Sequence, residues 1–189
     1  METLRDYLRV QLLWSFCNNL DLELEETAFT FFQALGGQSV MPPLDERVLD
    51  QVNGLMGDAL GKLYVDQHFP PEAKVKISEL ADGILAAFRD RLERNEWMTL
   101  QTRQKAIERL GTLRVKVGYP DKWETYEDVE IGDTYFASVL SAANASLRES
   151  LAEAGLPIDR EEWGMNAQTA NAYYNPLNNE IVFPAAILQ

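Results

Sequence analysis

With 189 residues, 46% of them hydrophobic, the chain is long enough to bury a real core in one large domain or one and a half. Its formal net charge of -13, from 30 acidic and 17 basic side chains, argues against nucleic acid or an acidic membrane surface as partner, because binding phosphates needs a basic face. The single Cys17 permits no internal disulfide, and the single His68 permits no His–His metal pair, Cys/His zinc site or HExxH helix within these residues.

In chain order the pattern is mostly helical. Residues 3–20 predict a first helix, with Leu4, Leu8, Leu12 and Phe16 on one stripe and Tyr7, Val10, Leu13, Trp14 and Cys17 beside it. So apolar a helix is expected to be mostly buried, and Cys17 within it reads as a structural thiol. Residues 23–35 predict a second helix, ended by Gly36-Gly37. Leu44 to His68 reads as one long third helix, with Val48, Val52, Leu55, Met56, Ala59, Leu60 and Leu63 at helical spacing. Its Gly54, Gly57 and Gly61 lower helix propensity and suggest that a neighbouring helix approaches closely. A membrane role for Gly57-x-x-x-Gly61 is implausible beside Asp58, Lys62 and Asp66. His68 sits at the helix end, where the dipole favours it.

Pro70-Pro71 opens a fourth helix running to about Arg94, with Ile77, Leu80, Ala81, Ile84, Ala87 and Phe88 as its core face. Thr99 is the expected N-cap of a fifth helix that ends near Gly111. Leu113 to Val117 alternates apolar and basic residues like a short strand, followed by a turn at Gly118-Tyr119-Pro120-Asp121. Residues 122–132 read as an irregular acidic surface segment. Asp133 is expected to cap a sixth helix striped by Phe136, Val139, Leu140, Ala143, Leu147 and Leu151. The last stretch is different. Thr169 to Tyr174 suits a strand, Asn175-Pro176-Leu177-Asn178-Asn179 is turn chemistry, and Ile181-Val182-Phe183 is a second strand that Pro184 ends or confines to an edge. Together they predict a β-hairpin, which needs other structure to lean on.

No catalytic set emerges from these residue types. There is no calcium loop and no phosphate-cradling GxGxxG or Walker pattern. A serine nucleophile would have His68 as its only possible base. Glu25-Glu26 and Glu161-Glu162 read as solvated helix starts. No apolar run spans a bilayer and no charged-then-apolar leader opens the chain, which leaves localisation undetermined.

The terminal stretch resembles the neprilysin family of zinc metalloendopeptidases. The matching residues are Asn171-Ala172-Tyr173-Tyr174, a polar turn, and Ile181-Val182-Phe183-Pro184-Ala185-Ala186-Ile187-Leu188-Gln189. Further family-like signatures stand in order along the chain. They are Asp6-Tyr7-Leu8-Arg9, Val52-Asn53-Gly54 with Met56 and Gly61-Lys62-Leu63-Tyr64-Val65, Trp97-Met98 with Thr102 and Lys105-Ala106, and Gly118-Tyr119-Pro120. The position before Val52 where many animal members carry a disulfide cysteine is not cysteine here, as in a bacterial-type member.

The resemblance implies a mainly α fold. Residues 1–160 would be the helical lid-domain portion with connecting helices, including the short strand at 113–117. Residues 161–189 would be the start of a thermolysin-like catalytic domain, with the β-hairpin. Zinc would belong to the full-length parent, whose HExxH helix follows in the family, and none would be bound by this chain. Asn171 and Ala172 match the family residues that hold the substrate backbone, as in addition of a peptide to a sheet edge. The implied partners are a peptide substrate and the remainder of the catalytic domain. An unpaired edge could also pair with another copy of the chain. The chain alone is then expected to be inactive, as a fragment supplying part of the lid and the substrate-side strand. The alternative is a non-catalytic helical module that binds peptides or a protein. An unrelated carboxylate-metal enzyme is a distant third.

Overall fold

The structure is a computed structural model and describes residues 2–189. Seven helices and three strands follow one another as α1 (Glu2–Leu20), α2 (Leu22–Gly36), α3 (Leu44–Leu55), α4 (Gly57–His68), α5 (Pro71–Glu93), α6 (Leu100–Gly111), β1 (Arg114–Gly118), α7 (Tyr135–Glu153), β2 (Tyr173–Asn175) and β3 (Glu180–Pro184). A 3-10 turn over Ala185–Leu188 closes the chain. They form two compact units, one of residues 1–56 and 126–155, the other of 57–125 and 156–189.

The first unit is wholly helical. Asp21 caps α2 by accepting from Leu24 N at 2.9 Å, and Gly37, in the left-handed region at φ 73°, ends it. Trp14, Phe31 and Phe32 form an aromatic cluster with centroids 5.3–5.9 Å apart, and Phe16 meets Phe136 edge to face. Thr134, one residue after the expected Asp133, caps α7 through the Ala137 N–H. The expectation of a mostly buried α1 fails. Leu8 and Leu12 are 56% and 62% exposed, and of its large apolar stripe only Phe16 and Cys17 escape exposure. Apolar spacing specifies a face that prefers burial, not one that has found a partner.

The expected single helix over 44–68 is two helices. The ladder breaks at Met56, which leaves helical geometry at φ -138° and ψ 45°. Gly54 and Gly57 flank it, so helix propensity is weakest there. Gly57 and Gly61 do permit a close approach, but by a loop and not by a helix. A Cβ on Gly57 would run into the Asn166 side chain, and one on Gly61 would lie 2.9 Å from Gln168 Oε1 and 3.1 Å from the Trp123 ring.

In the second unit Pro70 and Pro71 start α5, and Thr99 caps α6 by accepting from Thr102 N at 3.2 Å. β2 and β3 make the expected hairpin, antiparallel, with Tyr173 opposite Val182 and Asn175 opposite Glu180. β1 joins it parallel to β3, with Arg114 opposite Glu180 and Gly118 opposite Pro184. The strand order β1-β3-β2 makes β3 central and leaves β2 at an edge. Pro184 ends β3 at the position where its missing N–H does not interrupt the ladder. The core gathers Val65, Phe69, Ala167 and Ala185, flanked by Tyr64, Ile77, Tyr119, Trp123 and Leu188. On α5 the predicted core face is realised only in part. Ile77 packs on this core, while Leu80 and Ile84 stay 62% and 60% exposed.

Candidate functional site

Asn171 and Ala172 stand directly before the edge strand. The Asn171 N–H donates to Thr169 O at 2.8 Å, and its Oδ1 accepts from Ala172 N at 2.8 Å. This local loop occupies the Ala172 N–H with the Asn171 side chain and leaves Asn171 exposed just before β2. The arrangement suits recognition of an extended peptide, because an edge offers main-chain donors and acceptors irrespective of side chain.

Two consecutive tyrosines fix that strand, since successive strand residues point to opposite faces. The Tyr173 hydroxyl accepts from Gly164 N at 2.8 Å. Burial raises the Tyr173 phenol above its ordinary value, and the charges of Glu180 and Glu162 push the same way, while the Gly164 hydrogen bond opposes them. On the other face the Tyr174 hydroxyl receives Arg109 Nη2 at 3.0 Å and donates to Asn179 Oδ1 at 3.0 Å. Arg109 Nη2 also reaches Pro176 O at 3.3 Å, and Asn179 Nδ2 donates to Arg109 O and Thr112 Oγ1, both at 2.9 Å. Asn179 holds φ 49°, a left-handed geometry that asparagine tolerates in turns.

Beneath the sheet lies an ion pair that the sequence reading missed. Lys116 Nζ sits 2.9 Å from Glu180 Oε2, with both residues buried. The contact is off the hydrogen-bonding direction, so it is an ion pair and not an aligned hydrogen bond. Lys116 Nζ also donates to Glu162 O at 2.7 Å, and Asn178 Nδ2 stands 3.5 Å from Glu180 Oε1. The residues that cover this face are therefore 162–164, tied down by Lys116 and Tyr173. Glu161 adds an exposed ion pair with Arg114.

In the helical unit a cavity of about 860 Å³ is lined by Asn19, Asp21, Glu25, Arg47 and Tyr135 among others. Its cation is already engaged. Arg47 Nε donates to Pro42 O at 3.0 Å, and its Nη1 pairs with Glu25. The hydrogen bond that Arg47 donates to Glu25 holds its guanidinium above its ordinary value, against the cost of burial. No three His, Cys, Asp or Glu side chains converge to hold a metal ion among the described residues. Nor is any helix among them long and apolar enough to cross a membrane.

The model of peptidase family M13 matches residues 1–120. The chain belongs to peptidase family M13. The zinc metalloprotease Zmp1 of Mycobacterium tuberculosis, a family structure solved with an inhibitor, superposes with a TM-score of 0.86 at 42% identity, over 96% of this chain and 27% of that one. Neutral endopeptidase of Lactobacillus helveticus is 28% identical over 100% of this chain and 30% of its own length. Neprilysin-3 of Drosophila melanogaster is 31% identical over 99% and 25% respectively. The resemblance to neprilysin-type metalloendopeptidases thus holds at the level of the M13 family, and so does the mainly helical fold with its small sheet. The chain spans a third or less of the length of these M13 relatives.

Proposed function

We propose that this chain is part of a zinc-dependent metalloendopeptidase that hydrolyses peptide bonds in oligopeptides, and that it supplies part of the lid and the substrate-binding edge strand. Residues 1–160 serve as the lid-domain portion with its connecting helices, and 161–189 open the catalytic domain. The observation that carries this is β2, an edge strand whose outer side is unpaired, entered through the exposed Asn171 and the half-buried Ala172. Asn171 offers an amide with both a donor and an acceptor to a substrate peptide unit, and the Ala172 carbonyl accepts a substrate N–H. Membership of the M13 family and the names of its zinc metalloprotease relatives support the reaction class. The metal is then held by residues outside this chain, and the chain alone is inactive. The exposed apolar stripes of α1 and α5 support the presence of further protein as partner, the rest of the catalytic domain among it.

The test is hydrolysis of an internally quenched oligopeptide. The longer protein with zinc should cleave it, a chelator should abolish cleavage, and the isolated 189-residue chain should not cleave. Asn171→Ala in the longer protein should raise KM about tenfold, the loss of one good hydrogen-bonded contact. An unchanged KM would remove Asn171 from the substrate site. Peptide binding without cleavage by the longer protein would favour the non-catalytic binding module instead. Sedimentation of the isolated chain tells whether a second copy takes the same edge.

A further inference from the structure

We propose that Arg109, on the last turn of α6, is a positioning residue for substrate, acting through Tyr174. This inference rests on the edge-strand role of β2 proposed above. An added peptide is held by main-chain bonds alone, so its placement is only as exact as that of the strand it joins. β2 is three residues long and lies at the edge of the sheet, so its own ladder holds it on one side only. Arg109 supplies the missing restraint. One guanidinium nitrogen grips both the Tyr174 hydroxyl at 3.0 Å and the Pro176 carbonyl at 3.3 Å, so the strand and the turn that follows it move with α6. Asn179 closes the ring: its Oδ1 accepts a hydrogen bond from the Tyr174 hydroxyl at 3.0 Å, and its Nδ2 donates to Arg109 O and Thr112 Oγ1. Arg109 and Tyr174 are exposed and Asn179 is half-buried, so the ring contributes little to core packing, while Tyr174 lies two residues from Ala172.

The experiment uses the longer zinc-loaded peptidase that contains this chain and measures kcat and KM separately for an oligopeptide. Arg109→Met and Tyr174→Phe should each raise KM about tenfold with kcat within about twofold, because a displaced strand weakens ground state and transition state alike. The double variant should be no worse than either single one, since both break the same link. Arg109→Lys, which keeps one donor, should recover to within about threefold of the parent KM. Additive effects in the double variant, or a fall in kcat at constant KM, would overturn the proposal. Should Arg109→Met fail to fold, Tyr174→Phe, which removes one oxygen from an exposed ring, decides alone: an unchanged KM refutes it. Asn171→Ala is run alongside. If it raises KM and the Arg109 and Tyr174 variants do not, only the positioning role falls. If Asn171→Ala leaves KM unchanged, the edge-strand role falls and this inference falls with it.

Discussion

Replacing Lys116 with methionine should cost the sheet-bearing unit much of its stability. Met keeps the length of the side chain and removes its charge. Glu180, 1% exposed, then loses the cation paired with it among the described residues and keeps a long approach from Asn178 at 3.5 Å. The Glu162 carbonyl loses its donor at 2.7 Å in the same step. Breaking one partner of a buried ion pair costs about 3–5 kcal/mol, because the other charge is left uncompensated. Set against a typical domain stability of about 5–15 kcal/mol, that is about a fifth or more of the total. The double replacement Lys116→Met with Glu180→Leu should recover most of the loss, since a buried pair exchanged for apolar groups is often neutral. Native-state hydrogen exchange at the Val117 and Val182 amides reads this unit directly, and urea unfolding gives the global value. A Lys116→Met chain within about 1 kcal/mol of the parent at pH 7 would refute the reasoning.

Gly118→Ala should destabilise the same unit by about 2 kcal/mol or more, read by urea unfolding. At φ 79° an L-residue is strained, and its Cβ would lie 2.6 Å from Phe69 Cε1. Tyr173 gives a pH dependence of definite sign. Its folded value is raised, so its contribution is complete below the unfolded value of about 10 and is lost as pH climbs through the folded one. The stability gap between the parent and Tyr173→Phe should therefore narrow above about pH 10, and a gap that widens there would contradict the buried phenol. Thr99→Ala should cost about 1 kcal/mol through loss of the α6 cap, seen as a lower thermal midpoint.

Much of the local structure could be read from the sequence. Apolar spacing located the helices, Thr99 marked one start, and the asparagine-rich turn with Pro184 located the hairpin. What escaped was set by partners distant in the chain. The break at Met56 has only the nearby glycines as a local sign, and those are tolerated inside helices elsewhere. Parallel pairing of β1 with β3 joins residues such as Val115 and Ile181, between which no sequence signal runs. Lys116 in an alternating strand reads as a solvent-facing residue until Glu180, two places along the neighbouring strand from its register partner Val182, is seen to pair with it. Asn171 and Ala172 came from family resemblance alone, because an asparagine before a strand is ordinary turn chemistry. Arg109 and Tyr174 carried no sequence mark of their contact, being 65 residues apart.

The family match ends at residue 120, after β1 and before the hairpin to which β1 is bonded. The end of that family model therefore passes through the middle of a sheet. A ribosome that has released residues 1–120 has made one outer strand with nothing to pair it, and must add some sixty residues, α7 among them, before β3 arrives. Until then Arg114 to Gly118 is an open edge, and the sheet's closure is a late, long-range event. Anyone cutting the gene by family limits would fix the protein permanently in that waiting state.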